Sequence, residues 1–254
     1  AAGYRGEARR VTQFLLGLDL DGAARFYGDG EPVAGRNAQG DASGWVAAAA
    51  RAVGVPSPPQ LPWRDLPDYQ EGEAGDYLGN ALAAAFGGPK AARYRWESFR
   101  RLTRVPGDPA SGLDSAAAWA VEPFSRPSLF RAARRTMLSL VRRSSRFGIT
   151  PGEAWPGQDP WTAPTAWTAW SLAALARDES GARADRRAAV RLLADLHRAA
   201  TPDGALPERV DARTGVPRST TPLAWSHAFA ILTLLELWPP KQPPPRRTAS
   251  HSGR

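Results

Sequence analysis

The 254-residue sequence contains no cysteine, one methionine and three histidines. The first absence excludes disulfides, thiolate metal sites and a cysteine nucleophile. His197, His227 and His251 stand too far apart in sequence to read as ligands of one metal, so a His-based metal site is not expected. Lysine is almost missing as well: of 33 basic residues, all but Lys90 and Lys241 are arginine. No run approaches the roughly 18 uninterrupted apolar residues of a membrane-crossing helix, and the opening residues Ala1 to Arg5 hold no apolar signal core. A membrane is therefore not among the expected partners. A sustained alternation of β-branched residues, the mark of half-buried strands, is also lacking. The chain does not begin with methionine, and the expectation drawn from this is that an upstream segment was removed.

What is present is apolar and helical in its spacing. Hydrophobic residues make up 43% of the chain, ten of them tryptophan, enough for a single large domain to bury roughly 70 to 75% of its unfolded surface. Val11, Phe14, Leu15 and Leu18 form one helical stripe, and Phe130, Ala133, Met137, Leu140 and Val141 another, each with arginines opposite. Residues 165–175 and 222–237 carry apolar side chains nearly all round and are expected to be buried on several sides. Between them, 184–199 is amphipathic, with Val190, Leu193 and Leu196 facing in. The class is all-α, and inner and outer helices alternate. The connections alternate too: long over 148–161, short around 178–182, long again over 201–221. A ring of helical hairpins produces that alternation and gathers the long loops, where function concentrates, at one end. Residues 1–238 form the expected domain, and 239–254, rich in proline, serine and arginine, read as a disordered tail. The net charge of +8 is spread over helix faces (Arg131, Arg134, Arg135; Arg183, Arg186, Arg187) and the tail. It reads as solvated surface, and nucleic acid is not an expected partner.

The loop 201–221 is the richest in chemistry, with Glu208 at its centre. A loop carboxylate above an aromatic-rich ring of helices is suited to deprotonating a water; an exposed ion pair with Arg209 or Arg213 is the alternative reading. Three pieces of sequence run together here: Gly204-Ala-Leu-Pro-Glu-Arg-Val-Asp211, Thr214-Gly-Val-Pro-Arg-Ser219 and Pro222-Leu-Ala-Trp-Ser-His-Ala228. They resemble the C-terminal signature of glycoside hydrolase family 15, the glucoamylases and glucodextranases. The resemblance implies that Glu208 is the general base. Upstream, the run from Gly148 to Trp161 resembles the family's loop of sugar-bordering aromatics, which implies substrate contacts for Trp155 and Trp161. Residues 35–45 are similar to a loop-to-helix segment near the substrate, implying the same for Gln39 and Asp41. Asp68-Tyr-Gln-Glu71 is similar to the segment that carries the family's other catalytic carboxylate, which implies Glu71 as general acid.

By this resemblance the fold is an (α/α)6 six-hairpin toroid, incomplete on its N-terminal side, which a preceding segment or a partner chain completes. The implied activity is inverting, exo-acting hydrolysis of α-glucosidic bonds in an α-glucan or short α-glucoside. Such an enzyme needs one carboxylic acid to protonate the leaving oxygen and one carboxylate to activate water. Tryptophan supplies flat faces for the C–H surfaces of sugars; Trp167, Trp170 and Trp225, at helical spacing, read as core packing instead. His227, alone on an apolar helix, is assigned no chemistry. With Gln70 where the family has tryptophan, and the family's Arg-Asp pair for the terminal sugar expected upstream of Ala1, the alternative is a non-catalytic or degenerate carbohydrate-binding member of the same family.

Overall fold

The computed structural model describes residues 3–20, 23, 25–35, 39–56, 78, 82, 102, 112–153, 155–178 and 182–240. Among them are six α-helices: α1 (Arg5–Leu16), α2 (Ala42–Val53), α3 (Phe130–Arg143), α4 (Thr162–Asp178), α5 (Ala182–Ala199) and α6 (Ala224–Leu237). Two 3-10 segments, Ser115–Ala120 and Pro127–Leu129, precede α3. Only isolated β-bridges, and no strand, occur among the described residues. Glu71 and the stretch 241–254 lie outside them.

The helices form two layers that alternate along the chain. α2, the Ser115–Ala120 segment, α4 and α6 turn aromatic side chains toward one another. Trp45 meets Trp119 at 4.9 Å between ring centroids, Trp119 meets Trp167 at 5.2 Å, and Trp167 meets Trp225 at 5.6 Å. Phe229 closes the set, 5.6 Å from Trp45 and 5.7 Å from Trp167. Most of these pairs are edge-to-face, the arrangement that the ring quadrupole favours. α1, α3 and α5 form the outer layer, against α2, the 3-10 segment and α4 respectively.

α4 is the central post. From Thr162 to Leu175 every residue but Trp170 is buried, as the all-round apolar pattern requires. α6 also belongs to the inner layer, but the expectation of burial on several sides does not hold for it. It buries one face only, Ser226, Phe229, Thr233 and Leu237, and leaves Ile231 and Leu234 each 47% exposed. Its composition is apolar all round, yet its packing partners among the described residues, chiefly α4, cover a single side.

Two outer stripes are also placed differently from their sequence reading. α5 packs through Ala188, Ala189, Leu192, Leu196 and Ala199, and Val190 lies outside. α4 also buries several alanines of its own, Ala166, Ala169 and Ala173. In α1 the buried residue is Thr12, whose hydroxyl donates to the Ala8 carbonyl, whereas Val11 and Phe14 are exposed. α3 follows its predicted stripe closely, burying Ala133, Met137, Leu140 and Val141, with Phe130 half-buried.

Candidate active site

Both long loops reach the N-terminal end of α4 and are pinned there by hydroxyl groups. Thr165 accepts the Ile149 N–H at 3.0 Å, which fixes the start of the 148–161 loop, and Trp161 N–H donates to the Ile149 carbonyl at 2.9 Å. Gly148 makes this approach possible: at φ +123° a Cβ there would lie 2.3 Å from Thr165 Oγ1. On the other loop, the buried Thr162 hydroxyl donates to the Pro207 carbonyl and lies 2.7 Å from Ser226 Oγ of α6.

These bonds hold the backbone on each side of Glu208. Its N–H donates to the Thr220 carbonyl at 2.8 Å, and its carbonyl accepts from Thr162 N–H at 3.0 Å. Two residues earlier, Leu206 N–H donates to His227 Nε2 at 2.9 Å while the Leu206 carbonyl accepts from Leu223. Two residues later, Val210 is fully buried against Phe147 and Ala199. The loop then turns on Asp211, which accepts from the N–H groups of Arg213 and Thr214 and from the Arg218 guanidinium. Those bonds hold the Asp211 carboxyl well below the usual carboxylate range.

The half-buried Glu208 side chain, by contrast, makes no hydrogen bond or ion pair with the described residues. The surface-pair reading therefore does not apply: Arg209 lies instead near Asp159, at 3.9 Å. Glu208 lines a cavity of about 700 Å³ together with Gln39, Asp41, Trp155 and Trp161. Every site residue read from the sequence that falls among the described residues is thus brought to one cavity; Glu71 falls outside them.

Trp155 and Trp161 stand edge to face, 4.8 Å between centroids, on one wall. Trp45, Trp225 and Phe229 bring the aromatic core to another, and Arg25, Arg209, Ser219 and Thr220 add polar groups. The sequence reading missed these contributors. Trp225 was placed in the core on its helical spacing, and it does touch Trp167 there while also facing the cavity. Arg25 carries no local pattern that would single it out. Three polar atoms of the lining residues, Trp161 Nε1, Arg209 Nε and Ser219 Oγ, are buried without a hydrogen-bond partner among the described residues.

Asp41, the residue just before α2, is 5% exposed. Burial pushes its carboxyl up to about 7, against the opposing pull of hydrogen bonds from its own backbone N–H and from the Trp45 side chain. Among the described residues no group of three or more His, Asp or Glu side chains is placed to hold a metal ion.

A helical inner and outer layer with its loops gathered over an aromatic cavity defines a class of fold shared with solved glycosidases. A structure titled "Glycosidase Wild Type" superposes with a TM-score of 0.60 at 20% identity, covering 92% of this chain and 80% of that one. A variant of that glycosidase in complex with glucose gives a TM-score of 0.59. The unsaturated glucuronyl hydrolase from Bacillus sp. GL1, responsible for the degradation of glycosaminoglycan, gives 0.52 at 17% identity, with 94% of this chain and 81% of that one covered. The fold is therefore all-α, of the six-hairpin toroid type. No family model and no curated protein matches the sequence.

Proposed function

We propose that this chain is a glycoside hydrolase that cleaves α-glucosidic bonds from chain ends with inversion, with Glu208 as general base. One observation carries the reading: a carboxylate unpaired among the described residues, on a backbone clamped from both sides, lines a cavity with tryptophans and polar side chains. Clamping the main chain while leaving the side chain unpaired keeps the carboxylate in place and available as a proton acceptor. The half-buried rings of Trp155 and Trp161 suit the C–H face of a sugar. The polar side chains of Arg25, Arg209, Ser219 and Thr220 in the lining suit its hydroxyls.

In the reaction, Glu208 takes a proton from water as that water attacks the anomeric carbon. A carboxylic acid on the opposite face protonates the departing oxygen. The resemblance to family 15 assigns that acid to Glu71. An α-glucan end or short α-glucoside is the substrate, and no cofactor enters the scheme.

The test is hydrolysis of maltooligosaccharides, with the anomer of released glucose followed by NMR. Initial β-glucose is expected. Glu208→Gln should keep the fold and sugar binding while lowering turnover by about 10² to 10⁴. Unchanged turnover would remove Glu208 from the mechanism, and sugar binding without hydrolysis by the unmutated chain would replace the hydrolase with a carbohydrate-binding protein.

A further inference from the structure

Every backbone polar group from Leu206 to Glu208 has a partner, and the partners are of two kinds. Pro207 has no N–H, so this stretch offers two donors and three acceptors. Three of the five are met by backbone: the Leu206 carbonyl by Leu223 N–H at 2.8 Å, the Glu208 N–H by the Thr220 carbonyl at 2.8 Å, and the Glu208 carbonyl by Thr162 N–H at 3.0 Å. Side chains meet the other two. The Thr162 hydroxyl donates to the Pro207 carbonyl, and the Leu206 N–H donates to His227 Nε2 at 2.9 Å. Leu206 is buried, and a buried N–H that loses its partner drives the chain to shift until it finds another.

The start of α6 therefore grips Leu206 on both sides. Leu223, the residue before the helix, donates to its carbonyl, while His227, whose own N–H donates back to the Leu223 carbonyl at 3.4 Å, accepts from its N–H. Between these two lie Trp225, which lines the cavity, and Ser226, whose Oγ is 2.7 Å from the Thr162 hydroxyl. A neutral imidazole that accepts at Nε2 carries its proton on Nδ1. His227 is not among the residues that line the cavity.

We infer that His227 is a positioning residue for the hydrolysis: its imidazole sets the backbone that carries the Glu208 carboxylate, without touching the substrate. This rests on the hydrolase reading with Glu208 as base. Trp225 is fixed by its own helix and by its contact with Trp167, so a displaced Leu206 moves the base relative to a sugar-binding wall that stays in place. Activation of water then suffers while sugar binding does not. A misplacement on the order of 1 Å at a reacting group costs about 10² in rate.

The experiment measures kcat and KM of the full chain on maltooligosaccharides for three substitutions at this position. Glutamine puts an amide oxygen near the place of Nε2, asparagine stops short of it, and leucine offers no acceptor. His227→Leu and His227→Asn should lower kcat by about tenfold to 10²-fold while KM changes by less than about twofold. His227→Gln should recover most of that loss. In a Glu208→Gln background there is no base left to misplace, so adding His227→Leu should lower kcat by less than about twofold further. Exchange of the Leu206 amide proton, followed by NMR, should quicken in the leucine and asparagine variants and not in the glutamine one. Urea midpoints show which variants fold; if His227→Leu does not, His227→Asn takes its place in both comparisons.

Unchanged kcat in the folded leucine and asparagine variants, or a glutamine variant no better than they are, would overturn the positioning role and leave the hydrolase reading intact. So would a full multiplicative loss in the Glu208→Gln background, which would mean that His227 acts on something other than Glu208. If the unmutated chain cleaves none of these sugars, or Glu208→Gln cleaves them at the unmutated rate, the reading with Glu208 as base falls and this inference falls with it.

Discussion

The burial of Asp41 has a thermodynamic signature. Its carboxyl titrates near 7 in the folded chain against 3.8 for the ordinary group. Between those values the folded state holds a proton that the unfolded state has released, so stability falls as pH rises through the window, by roughly 4 kcal/mol in all. Below about pH 4 both states are protonated and the effect is gone. Asparagine has the same shape and cannot ionise. Asp41→Asn should therefore exceed the unmutated chain in urea midpoint at pH 8 and match it near pH 4. An equal offset at both pH values would mean that folding does not raise the Asp41 carboxyl. Asp211 follows the opposite rule. Its carboxyl is held down by Arg218 and the turn N–H groups, so its contribution is complete at neutral pH and lost only as strong acid protonates it. His227, assigned no chemistry from its sequence, accepts the Leu206 N–H, a task that requires an unprotonated Nε2.

Among the elements, α4 shows what a sequence displays and what it hides. Thr162, Thr165, Thr168 and Ser171, all fully buried, recur every three residues along a helix that otherwise reads as apolar. Thr162 holds the loop of Glu208, Thr165 the loop of the two cavity tryptophans, and Ser171 the 3-10 segment through the Ala118 carbonyl. The repeat of hydroxyls was visible; their partners were not, because those lie between 16 and 64 residues away in the chain. Helix types and loop lengths from 143 onward were legible because apolar spacing and breakers act locally. The buried faces of α5 and α6 were less so: Ala188 is buried and Val190 exposed, and Ile231 and Leu234 are exposed, so hydrophobicity alone does not pick the covered side. Replacing Thr162 by valine tests the anchoring. The swap keeps the shape but strips the Pro207 carbonyl and Ser226 hydroxyl of a partner, so Thr162→Val should cost about 1 to 3 kcal/mol. It should lower kcat more than it raises KM, through misplacement of Glu208. A variant with unchanged urea midpoint and turnover would show that the loop is held without this hydroxyl.

At the scale of the whole molecule, the net charge of +8 is the feature that most invites a different partner, and the folded positions of the arginines argue against it. Many serve as internal braces rather than as a binding face. Arg134 pairs with buried Asp185 at 2.7 Å, Arg177 with Glu236, Arg198 with Asp195 and Arg218 with Asp211. Arg186 donates to the Leu237 carbonyl at the end of α6, and Arg198 to the Arg146 carbonyl. An arginine committed to a carboxylate or carbonyl has less to offer a phosphate. Association with duplex DNA should therefore be of the counterion-release kind alone: measurable at about 20 mM salt, steeply weakened by about 200 mM, and indifferent to sequence. Cleavage of a neutral maltooligosaccharide depends on groups inside the cavity and should change by less than about twofold over the same range. Saturating DNA at low salt should leave that cleavage rate unaltered, because the bracing arginines named above are not among the residues that line the cavity. DNA binding that persists above 200 mM salt, or that competes with the sugar, would place an anionic polymer at the cavity and count against a neutral glucan as its ligand.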